Sequence, residues 1–188
     1  MKFSIVRQLY IKISKTLSYI LRHHPEQFNI QLDSNGFTDF EVVLKILNEK
    51  YKEIEITNEL VKKINKISDK KRFEIKENKI RAIYGHSITE KIEIPEALNP
   101  PNKLYHGTIE KAYLSIKQEG LKKVSRQYVH LSSDIETAII VGKRRVNNPI
   151  ILEIDVESAK KEGIKFYKSD EIYLADYVPP KFISIHKK

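Results

Sequence analysis

The stretch Leu17–Glu26, with the sequence LSYILRHHPE, decides how the first half of the chain folds. Its apolar residues recur with the i, i+3, i+4 spacing of one buried helical face. Ser14 is suited to begin this helix as its N-cap, and Pro25 disfavours helical geometry at the residue before it. Arg22 and His23 are therefore predicted to lie in the last turn of a rigid helix. A cation at this end also complements the helix dipole, so a purely structural role stays open at this point.

The composition is that of a globular protein with 188 residues, long enough for one large domain or two small ones. Because it has no cysteine, it can form neither a disulfide framework nor a thiolate metal site. No apolar run approaches the ~20 residues of a membrane span, and the first residues lack the apolar core of a signal peptide. We therefore expect no membrane association and a cytoplasmic location, with the nucleus as an alternative.

The net charge of +9 is spread over both halves of the chain and predicts a phosphate-rich partner, although a lysine-rich composition gives a similar balance without one. Only seven of the 34 basic residues are arginines, and the other 27 are lysines. Where lysine is so strongly preferred, an arginine indicates that a planar, bidentate donor is needed. The arginines are Arg7, Arg22, Arg72, Arg81, Arg126, Arg144 and Arg145.

The rest of the first half predicts two more helices and a hairpin. Thr38 and Glu41 fit a capping box that opens the second helix, and the third is expected to begin at residues 57–58. Residues 72–84 form two alternating runs separated by a turn, which is typical of a β-hairpin. Three helices followed by a hairpin resemble a winged-helix module, which we expect for residues 1–94.

The second half, residues 104–188, follows a proline-rich linker at residues 95–103 and predicts an α+β domain with a split or sandwiched sheet. Thr108 is suited to cap one helix, and Ser133 with Glu136 forms a capping box for another. Short strands are predicted at residues 104–106, 128–132 and 150–154, and near residues 166, 172 and 182.

Two histidine–hydroxyl pairs lie on predicted strands of this second half. His106, Gly107 and Thr108 offer an imidazole, a glycine that permits close backbone approach, and a hydroxyl. His130 and Ser132 repeat the combination on another strand. Together they favour a shared ligand cleft, although either pair alone could be structural. The chain has no histidine or carboxylate spacing typical of zinc and no glycine-rich nucleotide loop, so we expect no metal.

A series of short motifs runs through nearly the whole chain in a fixed order. These motifs are Ser14-Lys15, Leu17–Tyr19, Leu21–Pro25, Asp33 with Gly36 and Phe37, Lys71–Phe73, Arg81-Ala82, Gly85–Ser87, Leu104–Thr108, Ser125-Arg126, Val129–Ser132, Val141–Arg144 and Val178–Pro180. In this order they resemble the RNA 2′-phosphotransferase family, whose members move a 2′-phosphate from RNA to NAD in tRNA splicing.

The resemblance implies an N-terminal winged-helix lobe, a C-terminal ADP-ribosyltransferase-like domain that holds NAD, and a catalytic Arg-His-Arg-Arg set supplied by both. Matched residue by residue, this set is Arg22, His23, Arg72 and Arg144. The family usually has Arg-His-Gly at the last motif, where this chain has Arg144-Arg145-Val146, so Arg145 is the alternative. The arginines would bind the phosphate, and His23 would position the ribose hydroxyl, deprotonate it or donate a hydrogen bond.

The resemblance also implies the substrates and suggests where they bind. NAD, consumed in the reaction, is expected to contact His106, Gly107, Thr108, His130 and Ser132. The partner is RNA that bears a 2′-phosphate, such as a tRNA splice junction, and we expect a monomer. Two other classes stay open: an ADP-ribosyltransferase that modifies nucleic-acid ends or protein, and a winged-helix nucleic-acid binder without activity.

Overall fold

The computed structural model of the protein describes residues 2–68 and 71–187. The chain divides into two compact units, Met1–Glu93 and Ile94–Lys188. Within the described residues, both units combine α-helices with small antiparallel sheets. The predicted mixture of helices and sheets is therefore confirmed. No helix in this described part is long and apolar enough to span a membrane.

The first helix, α1 (Lys2–Arg22), is longer than the sequence motif predicts. Ser14 does not cap it, because the residue lies buried within the helix, where its carbonyl accepts a hydrogen bond from the Ser18 hydroxyl. The helix extends upstream since Leu9 and Tyr10 continue the apolar face and pack against the core. The fully buried residues of this face are Ile13, Leu17, Ile20 and Leu21.

Strand β1 (Phe37–Asp39) leads directly into α2 (Phe40–Lys50). Asp39 caps the helix with its carboxylate, so the predicted capping box at Thr38 is wrong by one residue. Thr38 instead lies buried in β1. The next helix, α3 (Asn58–Ile67), begins as predicted, with the Thr57 hydroxyl accepting a hydrogen bond from its first turn.

The predicted hairpin consists of β2 (Phe73–Lys76) and β3 (Lys79–Ala82), and it pairs with β1 in the order β1-β3-β2. After β3 the chain returns to the end of α1, where the Ser87 N–H donates to the Arg22 carbonyl oxygen at 2.9 Å. The core beneath these elements is formed by buried apolar residues of α1, α2, α3 and the sheet. The core residues contributed by α2, α3 and the sheet include Phe40, Val43, Leu47, Val61, Ile64, Phe73 and Ile80.

The second unit contains eight short strands and three helices within its described residues. In chain order they are β4 (Lys103–Thr108), α4 (Glu110–Glu119), β5 (Leu121–Lys122), β6 (Val129–Leu131), α5 (Ile135–Gly142), β7 (Ile150–Asp155), α6 (Val156–Lys161), β8 (Phe166–Ser169), β9 (Ile172–Ala175), β10 (Tyr177–Val178) and β11 (Ile183–Ile185).

The strands form three antiparallel sheets, in the orders β11-β7-β4, β6-β9-β8 and β10-β5. The first two sheets meet where Tyr105 of β4 and Ser132 after β6 exchange two backbone hydrogen bonds of 2.8 Å. This junction brings His106, which follows Tyr105 on β4, next to His130 on β6. The two predicted histidine strands are therefore confirmed as neighbours.

Two predicted helix caps in this unit are wrong. Thr108 is the last residue of β4, and α4 begins two residues later, after Ile109 at the N-cap position, which makes no side-chain cap. Asp134, not Ser133, caps α5, because its carboxylate accepts both the backbone N–H and the hydroxyl of Thr137, at 2.7 and 3.0 Å. The charged carboxylate of Asp134 is a stronger acceptor for these donors than the neutral hydroxyl of Ser133.

Gly107 lies where α5 packs directly on β4. A Cβ at this position would stand 2.3 Å from the Ala138 carbonyl oxygen and 3.1 Å from the Gly142 backbone. The glycine is therefore required for contact between strand and helix. The close approach that the sequence predicts at Gly107 is made by protein backbone, and its role toward a ligand stays a prediction.

Candidate active site

The end of α1 holds Arg22 in a defined position. The helix stops here because His23 and His24 both donate their backbone N–H to the Tyr19 carbonyl, and Pro25 begins a 3₁₀ turn. The guanidinium of Arg22 lies above the Tyr84 ring, 5.1 Å from its centroid. Such a cation–π contact favours a planar cation over a lysine ammonium.

The backbone of Arg72 lies beside the Arg22 side chain. The Arg22 Nη2 atom donates to the Arg72 carbonyl oxygen at 3.3 Å, and this oxygen also accepts the Ile83 N–H at 3.0 Å. On its other side, the Arg72 N–H donates to the side chain of Asn65 at 3.2 Å. The backbone that carries Arg72 is thus fixed between α3 and the segment after β3.

His23 completes this group. Its Nδ1 atom lies 2.8 Å from the Ser87 hydroxyl, and the backbone N–H of Ser87 bonds to the end of α1. Gly85, two residues earlier, has a φ of +90°, a conformation that side chains other than glycine rarely adopt. The turn at Gly85 brings the chain past Arg22 and places Ser87 against His23. Arg22, His23 and Arg72 therefore form one cluster in unit 1.

His86 is buried beneath the same cluster and is only 3% exposed. Burial lowers its pKa to about 4, and the positive charges of Arg22 and Arg81, together with His23, add to this effect. The imidazole is therefore neutral at neutral pH. Its Nε2 atom has no hydrogen-bond partner within the described residues and faces the turn at Gly36.

Arg81, another of the few arginines, has a structural role. Its guanidinium forms an ion pair with Glu74 at 2.6 Å, donates to the Asn35 carbonyl at 3.0 Å and lies 4.5 Å above the Phe37 ring. All of these contacts join strands and turns of the small sheet. Arg81 therefore uses its planar donors to stabilise the fold rather than to bind a ligand.

In unit 2, His106 and His130 share one hydrogen bond. The His106 Nδ1 atom donates to the His130 carbonyl oxygen at 2.9 Å, and the His130 Nδ1 atom donates to the Tyr128 carbonyl at 3.1 Å. Burial lowers the pKa of His106; the bond to His130 opposes this shift and the charge of Arg145 adds to it. A neutral His106 that donates from Nδ1 has Nε2 as an acceptor.

The hydroxyl residues of the predicted cleft lie on the same two strands. Thr108 is buried at the end of β4, and Ser132 is half-buried beside Tyr105. Arg144 and Arg145 follow α5, and both are exposed. Of the two, Arg145 is the residue whose charge acts on His106, so the choice between them stays open. Within the described residues, no group of three histidines or carboxylates could hold a metal ion.

These arrangements define the chemistry that each unit can perform. The cluster in unit 1 combines the Arg22 guanidinium and the His23 imidazole beside the backbone that carries Arg72, and a guanidinium with an imidazole on rigid backbone suits an oxyanion with several acceptor oxygens. The pair in unit 2 combines the His106 and His130 imidazoles with hydroxyl groups, which suits a ligand rich in hydroxyl groups. The sequence patterns do not mark Tyr84 or Ser87 as site residues, although Ser87 belongs to the motif Gly85–Ser87.

Comparison with known proteins identifies the class. A family model described as "RNA 2'-phosphotransferase, Tpt1 / KptA family" matches residues 8–176. A probable RNA 2'-phosphotransferase of Bacillus thuringiensis is 46% identical over 182 residues, which cover 96% of this chain and 98% of that protein. Proteins with the same name from Acetivibrio thermocellus (46% over 175 residues, 93% and 96% covered) and Flavobacterium johnsoniae (44% over 174 residues, 91% and 93% covered) are also similar.

The class is thus that of phosphotransferases that act on RNA. More specifically, the chain belongs to the RNA 2'-phosphotransferase family. It is an enzyme, its substrate is RNA, and its family supports removal of a 2′-phosphate from that RNA. This confirms the resemblance found in the sequence motifs.

Proposed function

We propose that this enzyme transfers the 2′-phosphate of RNA to NAD, which gives RNA with a 2′-hydroxyl, nicotinamide and ADP-ribose 1″,2″-cyclic phosphate. The observation that carries this proposal is the cluster in which Arg22 contacts Arg72 and adjoins His23. Family membership supports the 2′-phosphate as the group that this cluster binds. In the same proposal the RNA is a tRNA splice junction, and the protein acts as a monomer in the cytoplasm.

The elements of each unit support a finer description of the fold. Within its described residues, unit 1 has three α-helices and a three-stranded antiparallel sheet that ends in a hairpin, which is the set of elements in a winged helix. Unit 2 has short antiparallel sheets with small helices, as expected of an ADP-ribosyltransferase-like domain. We propose these two assignments, in which unit 1 binds the 2′-phosphate and unit 2 binds NAD.

The arginines suit the phosphate that the reaction moves. A phosphate monoester carries about −1.5 to −2 charges at pH 7 and presents three acceptor oxygens. Arg22 and Arg72 can each donate paired N–H groups to such oxygens, and Arg144 adds a third guanidinium in the proposed set. Since these groups are charged throughout, they stabilise the negative charge that grows during the transfer, without a metal ion.

The chemistry has two steps that balance without a further reactant. A 2′-phosphate oxygen forms a bond to C1″ of the nicotinamide ribose, and nicotinamide leaves with the electron pair of the broken C–N bond. The ribose 2″-oxygen then bonds to phosphorus, the P–O2′ bond breaks, and the RNA oxygen takes up a proton. His23 is proposed to receive the proton of the 2″-hydroxyl in this second step.

The side chains of unit 2 fit the hydroxyl groups and the amide of NAD. Neutral His106 offers an acceptor at Nε2, and the hydroxyls of Thr108 and Ser132 can both donate and accept. Together with Gly107 and His130, they are the proposed contacts. A positive charge beside the cationic nicotinamide ring would weaken binding, and the buried, neutral imidazole of His106 adds none.

The test is incubation of the protein with NAD and an oligonucleotide that carries one internal 2′-phosphate. We expect loss of this phosphate only when NAD is present, with one nicotinamide released for each phosphate transferred. Arg22→Ala should abolish the reaction. Arg7→Ala is the matched control, because Arg7 is exposed on the same helix and should leave the rate unchanged.

The other outcomes separate the alternatives. ADP-ribose that stays attached to the RNA or to protein would indicate an ADP-ribosyltransferase. Release of inorganic phosphate without NAD would indicate a phosphatase. Binding of the oligonucleotide without any turnover would indicate a nucleic-acid binder.

A further inference from the structure

Ser87 contacts the candidate catalytic histidine. Its hydroxyl oxygen lies 2.8 Å from His23 Nδ1, within normal hydrogen-bond distance. Either atom can be the donor, since a neutral imidazole carries its proton on one of two nitrogens. The protonation of Nδ1 therefore decides whether the second ring nitrogen, Nε2, donates or accepts a hydrogen bond toward a substrate.

The backbone around Ser87 is fixed, although its side chain is exposed. Its N–H donates to the Arg22 carbonyl at 2.9 Å, which joins the segment to the last turn of α1. The preceding residues, Gly85 and His86, are both buried. His86 packs against the turn at Gly36, where a Cβ placed on Gly36 would lie 3.4 Å from His86 Nε2 and 3.3 Å from Ile92 Cγ2. Ser87 is therefore held on a rigid support rather than on a mobile loop.

We propose that Ser87 is a positioning residue whose hydroxyl oxygen accepts the Nδ1–H of His23 and so leaves His23 Nε2 as the proton-accepting atom. This inference deepens the proposed function and rests on it for the role of His23. The same bond also orients the ring. A serine hydroxyl can accept this proton and still donate its own hydrogen to solvent, because Ser87 is exposed.

This direction of the bond gives His23 the form that the proposed proton transfer needs. Arg22 adjoins His23 in the chain, and its guanidinium contacts Arg72. In the neutral ring with Nδ1 protonated, Nε2 carries the lone pair that can receive the proton of a ribose hydroxyl.

The experiment compares Ser87→Ala, Ser87→Thr and the wild-type protein. The matched control is Thr89→Ala, which removes an exposed hydroxyl two residues away. With ¹⁵N-labelled histidine, we expect wild-type His23 to show a protonated Nδ1 and an unprotonated Nε2. Ser87→Ala should shift the ring toward the other tautomer, whereas Ser87→Thr and Thr89→Ala should keep the wild-type spectrum.

The kinetic readout follows the same logic. A single neutral hydrogen bond predicts a fall in kcat of about 2- to 10-fold for Ser87→Ala, with little change in KM. Ser87→Thr should restore most of the rate. Wild-type spectra and rates in Ser87→Ala, or a protonated Nε2 in the wild-type protein, would overturn the inference.

These results are separable from a failure of the proposed function. The tautomer of His23 is measured in the protein alone and does not depend on turnover. A wild-type protein without NAD-dependent transfer would contradict the proposed function, whereas the spectra alone would still decide whether Ser87 sets the tautomer. Equal thermal unfolding of Ser87→Ala and Thr89→Ala would show that lost folding is not the cause of lost rate.

Discussion

At the scale of single residues, the arginines show what composition can and cannot predict. The Arg22 guanidinium contacts the backbone of Arg72, and the role of both side chains toward a phosphate stays a prediction. Arg81 belongs to the same small set of arginines, yet its guanidinium contacts Glu74 and Phe37 within the sheet. A sequence can show that planar donors are preferred at certain positions. It cannot show which acceptor each donor reaches, because that depends on side chains brought together from distant parts of the chain.

Arg144 gives the first prediction at this scale. We expect Arg144→Lys to lose about 10²–10³ in kcat, because loss of one preorganised donor at such a site has this effect. A lysine keeps the charge but lacks the bidentate fork. Arg144 is exposed, so the change should leave folding intact, as thermal unfolding can verify.

The neighbouring Arg145 is the matched control. It is also exposed, and its charge acts on His106. Turnover of the 2′-phosphorylated oligonucleotide should be reduced far less in Arg145→Lys than in Arg144→Lys. The reverse result, with Arg144→Lys nearly as active as wild type, would assign the catalytic position to Arg145.

His86 gives a second prediction, about stability and pH. Its folded-state pKa is lowered to about 4 by burial and by Arg22, Arg81 and His23, whereas an unfolded histidine titrates near 6.5. Below pH 6.5 the unfolded chain therefore takes up this proton first, and the folded state is destabilised as pH falls. For a shift of this size, the contribution reaches about 3 kcal/mol near pH 4.

Urea unfolding at several pH values measures this effect. The free energy of unfolding of wild type should fall more steeply from pH 7 to pH 4 than that of His86→Gln, whose amide does not titrate. Acidic groups titrate equally in both proteins, so the difference isolates His86. A difference between the two proteins that is constant over this range would show that His86 is protonated as readily in the folded state as in the unfolded chain.

At the scale of elements, most helices and strands follow from the sequence, but their first residues often do not. The apolar periodicity of α1 is visible in the sequence, and the preference of serine for N-caps predicts a start at Ser14. Burial of Ile13 and the packing of Tyr10 outweigh that local preference. The caps at Asp39 and Asp134 show a related limit. Several neighbouring residues can cap, and tertiary packing decides which one does so.

Gly107 gives the prediction at this scale. Gly107→Ala should lower the free energy of unfolding by about 1–3 kcal/mol or more, because the added Cβ overpacks the contact between β4 and α5. The Cβ would lie 2.3 Å from the Ala138 carbonyl, which is backbone and cannot rotate away. Denaturant unfolding without NAD measures the loss.

Gly163→Ala is the control for this change. Its Cβ would meet no atom within 4 Å, but its φ of +85° imposes conformational strain alone, a cost of roughly 1–2 kcal/mol. If Gly107→Ala is as stable as wild type and loses only NAD binding, the close approach at Gly107 serves the ligand rather than the packing of α5.

At the scale of the whole molecule, the order of motifs along the chain predicted the family, because motifs that span most of a chain are far more specific than any single one. Net charge was less informative. The charge of +9 comes from 34 basic residues against 25 acidic ones, and many lysines, such as Lys103 and Lys161, are paired with Glu153 and Glu157. A basic total therefore does not measure how many phosphates the protein contacts.

Salt dependence can measure that number directly, and it gives the last prediction. If the 2′-phosphate held by Arg22 and Arg72 is the main recognition element, the rest of the RNA adds few phosphate contacts. On a single strand each neutralised phosphate contributes about −0.7 to the slope of log K against log salt, so two or three contacts give a slope of about −1.5 to −2.

Matched oligonucleotides with and without one internal 2′-phosphate should differ strongly in affinity across the salt series. Arg72→Ala should remove most of this difference, whereas Arg7→Ala should preserve it. Equal affinity for the two oligonucleotides, with a steep common slope, would mean that the protein binds the RNA backbone through its lysine-rich surface and that the 2′-phosphate is not the main recognition element.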